Sequence, residues 1–177
     1  MAAPTYRHYN ANPAGANISD CVIRALTVAT GESYYDVLTE ISDYAADITG
    51  RTPGRCMHMI QSGAGVTSET IERFMAARSW KQIYPLDSTY AGFKRATFRP
   101  EYLPADCVAD MNDHTAAVQD GMLVDTFDAI GRGTRKLNSY FVPSESEETA
   151  DAYWIRRAEY TARKRGGSVD KYLLSDW

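Results

Sequence analysis

The residues best suited to chemistry are Cys21, His114 and Asp125. Cys21 sits inside the stretch Asn17 to Gly31, NISDCVIRALTVATG, which reads as a polar turn followed by one helix. Ser19 or Asp20 serves as N-cap, and Gly31 supplies the C-terminal stop. Val22, Ile23, Ala25, Leu26, Val28 and Ala29 surround most of the helix, which makes it central rather than superficial. A cysteine in its first turn lies at the positive end of the helix dipole, where a thiolate is favoured over a thiol. The question is whether the rest of the chain brings a base to that sulfur.

A base is available on a hairpin. Asp120-Gly121 separates two alternating strands, a strong turn signal. With a two-residue turn, Gln119 faces Met122, Val118 faces Leu123, Ala116 faces Asp125 and His114 faces Phe127. One face then carries His114, Ala116, Val118, Leu123, Asp125 and Phe127. His114 and Asp125 become diagonal cross-strand neighbours, about 7–8 Å apart at the backbone and within side-chain reach. Asp128 falls on the opposite face, so the register selects Asp125 as the partner of the imidazole; a one-residue slip would reverse the choice.

Together these residues make a Cys-His-Asp constellation. The thiolate attacks a carbonyl, the imidazole takes and returns the proton, and the carboxylate orients the ring and stabilises its charged form. The oxyanion is expected to be held by the Cys21 backbone N–H and a side-chain donor just upstream, Asn17 first and Asn12 second. Taken singly, each residue has a structural reading: a small buried thiol, a structural histidine, a solvated aspartate. Only the joint pattern points to catalysis.

The elements that must position these residues fall in a simple order. Residues 1–18, with Pro4, Pro13, Gly15 and three asparagines, read as an irregular leader. After the Cys21 helix, a second runs from about Tyr34 to Ile48, capped by Ser33 with Asp36 at its third position. Gly50 to Gly65 reads as a loop, and a third helix spans about Ser68 to Arg78. Lys81–Leu86, Cys107–Met111, His114–Gln119, Met122–Phe127 and Leu137–Val142 read as strands. Helices first and an antiparallel sheet afterwards make an α+β pattern. Residues 1–142 are expected to form the domain, with residues 143–177 an appended charged helix and tail. That helix, about Glu145 to Gly166, is read either as packed on the domain or as an arm for a protein partner.

The totals set bounds. The chain has 177 residues and a net charge of −4, with its basic residues dispersed until the C-terminus, so a general nucleic-acid surface is not indicated. No apolar run approaches the roughly 20 residues of a membrane span, and MAAPTYRHYN lacks the apolar core of a signal peptide. Cys21, Cys56 and Cys107 are odd in number without framework spacing, which suits free thiols in a reducing, cytosolic setting. Cys56-Met-His58, with Cys107 and His114, matches no familiar zinc module, so no metal is expected. GRGTRK, Gly131 to Lys136, joins two strands rather than opening a helix, which makes it a basic hairpin loop rather than a phosphate loop.

Three segments, DCVIRALTVATGESYYDVLTEI, GVTSETIERFMAARSWKQIY and HTAAVQDGMLVDTFD, resemble a group of small proteins with a papain-like cysteine-peptidase fold, many encoded by tailed bacteriophages and their prophages. The resemblance covers roughly Asn17 to Val142. It implies a central helix bearing the nucleophile, packed on a C-terminal sheet, with Cys21 as nucleophile, His114 as base and Asp125 as orienting residue. The glutamine that papain-type sites carry shortly before the cysteine is absent here, and only asparagines are available. The implied activity is cofactor-free hydrolysis of a peptide or isopeptide bond in a protein or peptide substrate, in the host cytoplasm or associated with a virion. The alternative is a binding or structural protein that keeps the fold with little turnover and docks on a host or virion component.

Overall fold

The computed structural model describes residues 5–16, 18–130 and 135–174. In chain order they form β1 Tyr6–His8, α1 Cys21–Thr30, α2 Tyr34–Thr49, α3 Pro53–Gln61, α4 Ser68–Ala76, β2 Trp80–Ile83, β3 Cys107–Met111, β4 His114–Gln119, β5 Met122–Asp125, β6 Leu137–Pro143, α5 Ala150–Arg165 and α6 Val169–Leu174. This is an α+β fold built on one sheet of order β1-β5-β4-β3-β6-β2.

Local chemistry accounts for most boundaries. α1 stops at Gly31, whose φ of 73° provides the left-handed cap and lets its N–H reach the Thr27 carbonyl. α2 starts where the Ser33 side chain accepts from the Asp36 N–H. The β4–β5 turn places Asp120 at φ 53° and Gly121 at φ 73°, the left-handed pair a type I′ hairpin requires. Val118 therefore faces Leu123 and Gln119 faces Met122, in the register that the Asp-Gly turn implies.

Two expectations are corrected. The sheet is mixed, not wholly antiparallel, because the leader contributes β1, which pairs parallel to β5 with His8 opposite Asp125. Three residues are too few to show alternation, so this strand leaves no periodic signature. Residues 50–65 are not a continuous loop: Thr52 accepts from the Arg55 N–H and Pro53 takes the first helical position, opening α3.

The sheet separates two apolar clusters. On one face Ile23 and Leu26 of α1 meet Val37, Leu38 and Ile41 of α2, Phe74 and Met75 of α4, and Val108, Ala117 and Phe141 of the sheet. On the other, Ala109, Val118, Leu123 and Tyr140 meet Phe98 and Leu103 of the β2–β3 connection, and Tyr153 and Trp154 of α5. Cys56 belongs to the first cluster and Cys107 to the second. α1 packs along β4 and also touches β3 and β5, so it lies over the middle of the sheet. Among the described residues no helix is long and apolar enough to cross a membrane.

Residues 143–177 therefore include core side chains. Tyr153 is fully buried and donates to the Thr97 carbonyl at 2.8 Å; Trp154 is 2% exposed and donates to the Pro85 carbonyl at 2.8 Å. Trp154→Ala should cost about 3–5 kcal/mol in chemical denaturation, the range for truncating a large buried aromatic. A loss below about 1 kcal/mol, an ordinary surface value, would mean that α5 contributes little to the folded core.

Candidate active site

The hairpin and the start of α1 meet at one end of β4. His114 is the first residue of β4 and Asp125 the last of β5, and both are nearly inaccessible to solvent. The His114 Nε2 and Asp125 Oδ2 share a short hydrogen bond. Cys21, the first residue of α1, lies close enough to the His114 ring and the Thr115 N–H for both to favour the charged form of its sulfur. Cys21, His114 and Asp125 are thus brought together in that order. Phe127, also on the face picked out by the register, lays its ring 4.8 Å from the imidazole at a 48° tilt.

The electrostatics bias the pair toward its charged form. Burial pushes the Cys21 thiol up, but hydrogen bonds from His114 and the Thr115 N–H, with the positive charges of His114 and Arg24, bring it below its ordinary value. Burial pulls the His114 imidazole down, yet its hydrogen bonds to Asp125 and Cys21 and their negative charges raise it to about 9. A lowered thiol beside a raised imidazole is the direction of shift that favours a thiolate–imidazolium pair. At Cys107 burial outweighs the positive charge of Arg156 and raises the thiol far above the ordinary range.

Behind the pair lies a buried polar network that sequence reasoning missed. Arg24, one turn into α1 and only 6% exposed, pairs with Asp20 Oδ1 at 2.5 Å and reaches Asp125 Oδ1 at 3.8 Å. Asp20 Oδ2 accepts from the Tyr34 hydroxyl at 2.6 Å and from Asn12 Nδ2 at 2.9 Å. Burial, together with the Asp20 carboxylate, holds the Tyr34 phenol protonated well above its usual range. The Asp125 backbone is held too: its carbonyl accepts from the Tyr9 N–H at 2.8 Å and the Tyr6 hydroxyl at 3.3 Å. The signal for Arg24 was an arginine four residues after Asp20 on a helix otherwise read as apolar.

This network decides what is left for an oxyanion. Asp20 occupies the N-cap position, but its side chain makes no capping bond and its oxygens turn to Arg24, Tyr34 and Asn12. The first N–H groups of α1 therefore keep no side-chain cap beside the Cys21 sulfur. Asn12, the second candidate donor, is 5% exposed and spends its amide on Asp20 and Tyr34. Asn17, the first candidate, lies outside the described residues. A cleft of about 100 Å³ opens beside Cys21, walled by Ser19, Val22, Ile60 and the Gly63–Val66 turn. That turn comes so close that a Cβ on Gly63 would sit 2.4 Å from the Ser19 Cβ, and Gly63 also adopts φ 82°. Glycine is required there on both counts.

Arg24→Met should remove the cation between two buried carboxylates and cost about 3–5 kcal/mol in urea denaturation. A change under about 1 kcal/mol would show that Asp20 and Asp125 do not depend on it. Compared with protein families, curated proteins and solved structures, the chain shows no match.

Proposed function

We propose that the protein is a papain-like cysteine hydrolase that cleaves a peptide or isopeptide bond. The observation that carries the reading is the His114–Asp125 hydrogen bond beside Cys21, whose thiol the His114 ring lowers, on the uncapped end of a buried helix. The Cys21 thiolate attacks the substrate carbonyl carbon, and the carbonyl electrons move to oxygen. The N–H groups at the start of α1 stabilise that oxyanion. The His114 imidazolium gives its proton to the leaving nitrogen, the C–N bond breaks, and a thioester to Cys21 remains. Water then attacks the thioester while neutral His114 takes its proton; the carboxylic acid leaves and the thiolate–imidazolium pair is restored. Asp125 holds the ring and its charge throughout, and Arg24 holds Asp125.

The resemblance of the Asp20–Ile41, Gly65–Tyr84 and His114–Asp128 segments supports a phage or prophage source and action in the host cytoplasm. The second reading, a binding protein with little turnover, draws on the narrowness of the Cys21 cleft, about 100 Å³.

Labelling separates the two. A panel of peptidyl vinyl sulfones should modify Cys21 at neutral pH with a rate that saturates in probe concentration, read by mass spectrometry. His114→Ala should slow that labelling by about 10²–10⁴-fold, the ordinary contribution of a catalytic acid–base group. Cys56 and Cys107, both buried, should stay unmodified until unfolding. Non-saturable labelling, no faster than with a small alkylating agent and indifferent to His114, would contradict hydrolysis and leave the binding reading.

A further inference from the structure

The face of the sheet opposite α1 carries a feature that the Cys21 site does not use. Arg99, from the β2–β3 connection, joins Arg157, Lys164 and Arg165 of α5 around a pocket of about 190 Å³, completed by Tyr102, Tyr160 and Thr161. Four cations converge on one hollow in a chain whose net charge is −4. The helix dipole accounts for the basic last turn of α5, Arg163 to Arg165. It does not account for Arg157, two turns earlier, or for Arg99, on another segment.

Three of these charges, Arg99, Arg157 and Lys164, are poorly compensated by the described residues. Arg99 has Glu101 only at 3.8 Å. Arg157 donates to the neutral Arg95 carbonyl at 2.8 Å, and among the described residues neither Arg157 nor Lys164 pairs with a carboxylate. Their alkyl stems and charges rest on aromatic rings instead. Arg157 lies 4.9 Å from the Trp154 ring and 5.9 Å from Tyr102, while Lys164 and Arg99 lie 5.7 Å and 5.9 Å from Tyr160. These contacts restrain long side chains around the pocket, which lowers the entropy lost on binding an anion.

We propose that this pocket binds a compact polyanion of the phosphate class. Guanidinium forks match phosphate oxygens in pairs, and the pocket volume suits one or two phosphoryl groups. The same contacts disfavour a nucleobase. The Tyr160 face is taken by Lys164 and Arg99, and Tyr102 meets Tyr160 edge-on at 5.6 Å. Neither ring offers the open face that base stacking needs. The pocket lies on α5 and the Pro100–Tyr102 turn, away from α1, so the proposal stands apart from the hydrolase reading.

Calorimetric titration with inorganic phosphate and pyrophosphate at constant ionic strength tests it. Pyrophosphate should bind saturably at one site. Arg99→Gln and Lys164→Gln should each weaken it about tenfold, the size of one lost charge-assisted contact. Arg163→Gln, on the same turn but outside the pocket, should leave affinity unchanged, and circular dichroism should show all three variants folded. A short oligonucleotide with a 5′-phosphate, displaced by pyrophosphate when its unphosphorylated twin does not bind, would place the phosphate on a nucleic-acid end. No saturable pyrophosphate binding would overturn the proposal. So would equal losses in Arg163→Gln and Lys164→Gln, or oligonucleotide binding that grows with length and ignores pyrophosphate, which is the behaviour of a diffuse basic surface.

Discussion

The structure depends on keeping one carboxylate charged where water hardly reaches it. Asp125 is 5% exposed, and an unpaired carboxylate there would cost several kcal/mol. Three groups offset that cost. His114 takes Oδ2, the Thr126 N–H donates to Oδ1 at 2.6 Å, and Arg24 stands 3.8 Å from the same oxygen. Each comes from a different part of the fold: the start of β4, the end of β5 and the middle of α1. The carboxylate therefore ties the hairpin to the helix at the point where the cysteine emerges.

The surrounding architecture follows from that tie. A buried arginine on α1 needs a second anion, and Asp20 supplies it; Asp20 in turn has Tyr34 and Asn12 as donors. This draws α2 and the leader into the same network. β1 then completes the enclosure, with Tyr6 and Tyr9 binding the Asp125 carbonyl. By turning its side chain inward, Asp20 also gives up the capping role its position invites, so the helix N-terminus stays available to charge that develops at Cys21. The stabilising network and the chemically exposed helix end have one cause.

The parts of this site that were legible in the sequence were those set by short-range geometry. Asp120-Gly121 fixes a two-residue turn, a two-residue turn fixes register, and register puts His114 and Asp125 on one face. Gly31 marks the end of α1 for an equally local reason. What was not legible required tertiary context. Arg24 interrupts an apolar run, and only folding reveals the two carboxylates that surround it. β1 is indistinguishable from an irregular leader in the sequence because three residues cannot show a period. Thr52-Pro53 is a sound helix start, but the glycines and prolines around it favoured a loop reading. Tyr153 and Trp154 sit in a strongly charged helix, so their burial against the sheet was hidden by their neighbours.

The central claim is that Cys21 is a thiolate because His114, held by Asp125, is an imidazolium. The ultraviolet thiolate absorbance of the wild type minus that of Cys21→Ser, followed across pH, measures this directly. His114 raises the charge opposite the sulfur, so the Cys21 transition must move down from the free-thiol pKa of about 8.5. In a His114→Ala background only burial and weaker partners remain, and the transition must move back up. The account predicts a wild-type step below about 8.5 that shifts upward on loss of His114. A step at or above that value, unmoved by His114→Ala, would contradict it.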